Sequence, residues 1–155
     1  MYTETETTKT HLANRVFGKG LMLEELAPGS DIGFDLVMAD SGNGKDLVLQ
    51  SGANNLGQDI HVALLTATGT DIFNVQFGFD GLKSLTENIE PYMVEEFIRL
   101  SVVKTLAYDT RIKEVTEVVL EPVDSGERRW TVAVTAQTVL GETVSFSLGE
   151  INGNG

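Results

Sequence analysis

The sequence predicts an α+β fold: a mainly antiparallel sheet with two helices inserted between its hairpins. Three observations predict it. A Gly/Asn-rich turn separates two apolar runs within residues 34–50. Two helical patterns follow, near 52–67 and 91–108. The last third of the chain then alternates apolar and polar residues with a period of two.

Taken in order, residues 1–23 read as an N-terminal arm. Threonine and charge dominate to Thr10, and Val16-Phe17-Gly18-Lys19-Gly20-Leu21-Met22-Leu23 is apolar without a lasting period. Such a segment buries too little to order itself and either stays free or docks on something else. The next element is a hairpin. Phe34–Met38 and Asp46–Gln50 flank Ser41-Gly42-Asn43-Gly44-Lys45, whose residues tolerate positive φ. The loop leads into a strand and lacks the GxxxxGK[ST] spacing that cradles phosphate, so it reads as a turn.

Ser51 is placed to cap a first helix over about 52–67. Ala53, Leu56, Ile60, Ala63 and Leu64 share one sector of it, and Gly57 beside that sector predicts close approach of another backbone. Thr68-Gly69 ends the helix. Residues 70–81 form a loop whose aromatics are expected to pin it to the core. The second helix starts at Pro91, favoured at the first helical position, with Asn88 or Glu90 as caps, and runs to about Tyr108. Met93, Val94, Phe97, Ile98 and Leu100 cover one broad face, with Val102, Val103 and Leu106 opposite. A helix apolar on two sides is normally covered on two sides, which makes Val102, Val103 and Leu106 a candidate partner surface.

The strands of the last third are 114–120, stopped by Pro122, then 129–136 and 144–148, with a turn at Asp124–Glu127. From Gly149 the chain reads as a flexible tail. The expected organisation is therefore an arm (1–23), a single domain (24–150) and a tail (151–155). A domain of this length can bury a real core. The last strand, carrying Val144, Phe146 and Leu148, offers an edge for strand addition by a neighbour.

Composition narrows the function. Apolar residues make up 41% of the 155, an ordinary globular share, and no apolar run approaches the ~20 residues of a membrane-spanning helix. The start lacks the features of a signal peptide. Cysteine is absent, which removes disulfides and thiolate metal sites. Lys and Arg number 11 against 23 Asp and Glu, a net charge of −12, which opposes binding to nucleic acid or anionic membranes and favours basic partners.

Catalytic patterns are scarce. His11 and His61 have no metal-ligand spacing between them, and no cofactor motif occurs. Nothing signals Ser-His or Cys-His machinery. A carboxylate pair of the glycosidase kind could be drawn from Glu87, Glu90, Glu95, Glu96 and Asp109, but 23 acidic residues generate such pairs by chance.

One resemblance goes further. Asp31-Ile32, Ser51-Gly52, Asn55-Leu56-Gly57-Gln58-Asp59, Ala63-Leu64-Leu65-Thr66, Gly69, Phe73, Phe77-Gly78 and Thr105-Leu106-Ala107-Tyr108-Asp109-Thr110-Arg111-Ile112 stand in a distinctive order. Together they resemble the baseplate-wedge, sheath-initiator family of contractile phage tails, which has relatives in type VI secretion and extracellular injection systems. The resemblance spans about residues 31–121. It implies a non-enzymatic structural role without cofactors, and a fold like the inner domain of the sheath protein. The implied partners are the sheath protein, through shared β-strands, and the baseplate wedge proteins, with tube or hub proteins reached by the arm. The implied location is the baseplate of a virion or injection particle assembled in the bacterial cytoplasm. Members clamp the wedge's helical core through a Glu-Pro-Arg triplet, which aligns here with Asp109-Thr110-Arg111; the acid is shorter and the proline is missing. Arg111 could instead cap the last carbonyls of the second helix. Some members carry a lysozyme label, so a carboxylate-dependent peptidoglycan hydrolase is the alternative.

Overall fold

The structure is a computed structural model that describes residues 4–26, 33–81, 90–122 and 129–152. It is α+β, with short antiparallel sheets and three helices among the described residues. The chain divides into two compact units, Met1–Gln58 and Asp59–Gly155.

The first unit opens with a helix, α1 (Glu4–Phe17), in the segment read as an arm. Its periodicity is weak because the segment is rich in threonine. What fastens it is its last residue, since Phe17 is fully buried. Gly18 then takes φ 77°, the left-handed conformation that ends a helix cheaply when no Cβ is present.

Six three-residue strands follow: β1 (Lys19–Leu21), β2 (Leu23–Glu25), β3 (Phe34–Leu36), β4 (Met38–Asp40), β5 (Lys45–Leu47) and β6 (Leu49–Ser51). They pair antiparallel as β1 with β6, β2 with β3, and β4 with β5. Three extended segments, 19–25, 34–40 and 45–51, therefore each change partner at mid-length. The crossing points are Met22, Val37 and Val48, and they close a ring of backbone hydrogen bonds. The Met22 N–H donates to the Val48 carbonyl (2.8 Å), the Val48 N–H to the Val37 carbonyl (2.9 Å), and the Val37 N–H to the Met22 carbonyl (3.0 Å). The result is a three-armed β star. The predicted turn at 41–45 is present, but only β4 and β5 make the predicted hairpin; Phe34–Leu36 and Leu49–Gln50 pair elsewhere.

Helix α2 (Ala53–Leu65) comes next, close to its predicted span, with Leu56, Ile60 and Leu64 buried as expected. Its first residues hold the star. Asn55 Nδ2 donates to the Phe17 carbonyl (3.0 Å). The Gln58 amide acts as a substitute strand: Nε2 donates to the Leu21 carbonyl (2.7 Å) and Oε1 accepts from the Leu23 N–H (2.8 Å). These bonds straddle the point where the segment changes partner, satisfying backbone groups that would otherwise lack one. Close approach occurs at Gly20, where a Cβ would stand 2.5 Å from Asn55 Oδ1. Gly57, the glycine expected to allow it, has open space around it.

In the second unit, a loop runs from the end of α2 to Gly81. Its aromatics were expected to pin it, yet only Phe79 does so fully, while Phe73 is 94% exposed. Backbone bonds do most of the pinning: the Phe79 N–H donates to the Thr66 carbonyl (2.8 Å), and the Thr68 N–H to the Phe79 carbonyl (3.2 Å). Gly78 permits this, since it sits at φ 108° and a Cβ there would lie 2.4 Å from the Thr66 carbonyl oxygen.

Helix α3 (Pro91–Ala107) matches its predicted bounds, with Pro91 in its first turn. Glu90 occupies the cap position without a side-chain cap bond; Asn88, the other candidate, lies outside the described residues, as does the turn at 124–127. The helix packs on a three-stranded sheet of β7 (Ile112–Pro122), β8 (Arg129–Thr138) and β9 (Thr143–Asn152), ordered β7-β8-β9. The expected alternation on β8 is realised. Trp130, Val132, Val134, Ala136 and Thr138 are buried, and each large apolar burial stabilises by roughly 1.5–3 kcal/mol. β9 is longer than expected: Gly149–Asn152, read as tail, continues the strand, with Glu150 opposite Thr131 and Ile151 opposite Trp130.

Candidate interaction site around Arg111

The turn between α3 and β7 is built around one guanidinium. Helix α3 ends at Tyr108, and the Asp109 N–H donates to the Leu106 carbonyl (3.1 Å) while Ile112 donates back to the Asp109 carbonyl (3.0 Å). This tight reversal aims Arg111 at two carboxylates. Asp109 takes it sideways: Nε donates to Oδ1 (2.9 Å) and Nη2 to Oδ2 (2.6 Å). Asp59, from α2, accepts Nη1 (2.7 Å). The Arg111 backbone is held as well, its N–H by Asp109 Oδ1 (2.9 Å) and its carbonyl by the Val139 N–H (3.0 Å). Parallel, two-toothed Arg–carboxylate contact of this kind is strong and orienting.

The electrostatics follow the geometry. Burial alone pushes the Asp109 carboxyl up, but hydrogen bonds and charge from Arg111 outweigh it and hold it below the usual carboxylate range. The hydrogen bond to Asp109, aided by Asp59 and opposed by burial, raises Arg111 further above its already high value. The group is therefore a fixed trio of two anions and one cation. Beside it opens a cleft of about 550 Å³ lined by Asp59, Asn74, Phe77, Thr105, Tyr108 and Arg111.

Of the residues predicted to meet partners, Asp109 and Arg111 are thus brought together, despite the shortened acid of the triplet. Val102 and Leu106 are corrected: they are 0% and 1% exposed and belong to the core stripe with Val94 and Ile98. Only Val103, 40% exposed, faces out. The outward apolar stripe is instead Met93, Phe97 and Leu100, spaced four and three apart, the spacing of a helix-packing seam. The sequence did carry the signal, in the unbroken four-residue rhythm 94-98-102-106 that marks the inner face. Beside the stripe, Lys104 Nζ pairs with Asp80 Oδ2 at 2.7 Å.

Val144 and Phe146 lie on β9, half-buried, opposite Ala136 and Val134. Their side chains share the sheet's inner face, so what β9 offers a neighbour is its backbone edge. Leu148 continues the strand; its side chain lies outside the described residues. Among the hydrolase candidates, Asp109 is occupied by Arg111, Glu96 pairs with Arg99 one helical turn on, and Glu87 lies outside the described residues.

The crystal structure of a Geobacter sulfurreducens protein, provisionally named a tail lysozyme, is similar in fold. The TM-score is 0.57 at 18% identity, over 69% of this chain and 96% of that one. At that identity the likeness speaks for the fold alone. No protein-family model and no curated protein matches the chain.

Proposed function

We propose that this chain is a structural component of a contractile tail or injection machine, placed in its baseplate, where it starts sheath assembly. The β9 edge carries the reading. Between Gly141 and Gly149 this edge strand reads Glu-Thr-Val-Ser-Phe-Ser-Leu, and its paired run Thr143–Ser147 has neither proline nor charge. Edges normally carry such guards against strand addition, so an unguarded one suits a protein that recruits a strand. The fold likeness to a protein named for a tail supports the setting, and the ordered motifs quoted above support the family.

The wedge would be held by α3 and the turn that follows it. The Met93-Phe97-Leu100 stripe of α3 is an apolar seam suited to a helical partner, and the Arg111 trio, in the turn that follows the same helix, would add a fixed charge cluster. The reading is non-enzymatic. Asp109, depressed by Arg111, is ionised at neutral pH and is unfit as the general acid that glycoside hydrolysis needs.

The deciding experiment places charge on the edge without touching the core. Ser145 and Ser147 are exposed, so the double variant Ser145→Lys, Ser147→Lys should fold as the native chain does, by circular dichroism and melting. It should fail to seed polymerisation of the sheath protein from the same tail, which the native chain seeds. Seeding at the native rate by the double variant would falsify the proposal.

A further inference from the structure

The tip of the β4–β5 arm carries a reactive pair that neither the proposed sheath contact nor the proposed wedge contact uses. Asn43 precedes Gly44 in the turn, and both are exposed. Two backbone hydrogen bonds close this turn. The Ser41 N–H donates to the Gly44 carbonyl (2.8 Å), and the Asn43 N–H donates to the Ser41 carbonyl (2.7 Å). Among the described residues the Gly44 N–H donates to nothing, and no hydrogen bond holds the Asn43 side chain. Gly44, at φ 132°, has no Cβ to crowd an approach to its nitrogen, and the space around it is open. An exposed tip with so few bonds opens locally at small free-energy cost.

Asn54 and Asn55, at the start of α2, are arranged differently. Asn55 is 3% exposed, and its Nδ2 is engaged by the Phe17 carbonyl (3.0 Å). The backbone nitrogen that follows it, that of Leu56, is also engaged, since its N–H donates to the Gly52 carbonyl (3.2 Å). Both amides precede a residue with a side chain.

We propose that Asn43 is a site of spontaneous deamidation, converted through a cyclic imide with Gly44 into a mixture of isoaspartyl and aspartyl residues. The Gly44 nitrogen, losing its proton to solvent base, attacks Asn43 Cγ. The new N–Cγ bond closes a five-membered ring as the Cγ–Nδ2 bond breaks, and Nδ2 leaves as ammonia. Water then opens the ring at either carbonyl. Attack at Cγ restores the ordinary main chain and leaves an aspartate. Attack at the main-chain carbonyl routes the chain through Cγ and leaves an isoaspartyl residue. One water is consumed, one ammonia is released, and nothing is oxidised or reduced. The isoaspartyl product adds one carbon to the link between β4 and β5, whose strands pair only with each other. The inference does not depend on sheath seeding, because it uses different residues in the other unit.

The test incubates the full chain in mildly alkaline buffer and follows it by tryptic peptide mapping with mass spectrometry. Peptide Gly20–Lys45 contains Asn43 as its sole asparagine and has no glutamine, so a gain of about one dalton there reports this site alone. That gain should appear at least tenfold faster than at Asn54 or Asn55, and faster as pH rises. Electron-transfer fragmentation should find both isoaspartyl and aspartyl residues at position 43. Asn43→Gln, which would have to close a six-membered ring, should slow the gain at least tenfold while the melting curve stays native. A peptide mass that does not change, or a gain no faster than at Asn54 and Asn55, overturns the proposal. So does aspartate without isoaspartate, which would mean direct hydrolysis of the side chain with no ring through Gly44.

Discussion

The two outer strands of the C-terminal sheet border the same β8, yet their edges are guarded unequally. β7 carries Lys113, Glu114, Glu117 and Glu121, and it ends in Pro122. It also breaks register twice, with Lys113 and Thr116 inserted as extra residues against β8. Charge, proline and bulges are the devices that keep an edge from pairing with another chain, and α3 packs on β7 besides. β9 has a single irregularity, opposite Val132, and its run Thr143–Ser147 pairs with Gln137–Ala133 without interruption. One edge is closed and one is open. The asymmetry, confined to the run Thr143–Ser147 because Glu150 and the irregularity lie beyond it, is what the proposed strand recruitment would use.

The comparison breaks most completely if β7 loses its cover. Val102 is fully buried on the inner stripe of α3, and Val102→Asp places an unpaired charge there. The expected cost is roughly 4 kcal/mol or more, enough to unfold a domain of ordinary stability. Val103→Asp, one residue on, should change the melting temperature little and abolish wedge incorporation, since Val103 lies beside the outward seam. Chemical denaturation of the two variants measures the difference. Equal stabilities would mean that α3 does not sit on the sheet by the 94-98-102-106 face.

The next effect concerns the turn that leads into β7. Arg111→Ala leaves Asp59 and Asp109 near each other without their cation. A fully buried pair broken this way costs ~3–5 kcal/mol. These side chains are 22–39% exposed, so about 1–3 kcal/mol is expected. The pH dependence separates this loss from a general loosening. Asp109 is held below its ordinary range when folded, so its contribution is present above the ordinary value of ~3.9 and is lost as pH falls through the lower folded value. Native stability should therefore decline across that acidic window, and the Arg111→Ala variant should decline less steeply. Parallel profiles would mean that the trio contributes nothing.

How much of this was legible in the sequence depended on the range of the contacts. Pro91, the alternation from Trp130 to Ala136, and Leu56-Ile60-Leu64 are local signals, and the elements they mark are present. The turn at 41–44 is local too, and it forms. What local pattern cannot show is a strand that changes partner at Val37, because an apolar run looks the same with one neighbour or two. Helix α1 was hidden because its anchor is Phe17, whose carbonyl is bound by Asn55, 38 residues away. The same holds for the site. Asp109 and Arg111 could be named from the motif, but Asp59 reaches Arg111 across 52 residues and only the folded chain joins them. The faces of α3 were misdivided for a different reason: both are apolar, and composition does not say which one the sheet takes.

The smallest expected effect is the sharpest check on the two edges. Glu114 and Glu117 are exposed on β7, as Ser145 and Ser147 are on β9. The variant Glu114→Lys, Glu117→Lys carries the same two lysines as the β9 variant, but on the closed edge. Exposed substitutions of this kind usually change stability by ~0.5 kcal/mol or less. Because the bulges at Lys113 and Thr116 remain, the edge is no more able to accept a strand than before. Sheath seeding should therefore proceed at the native rate, measured by light scattering with the same sheath preparation. If the β7 lysines stop seeding as effectively as those on β9, added positive charge anywhere on the sheet is the inhibitor. The open edge would then lose its claim to be the template.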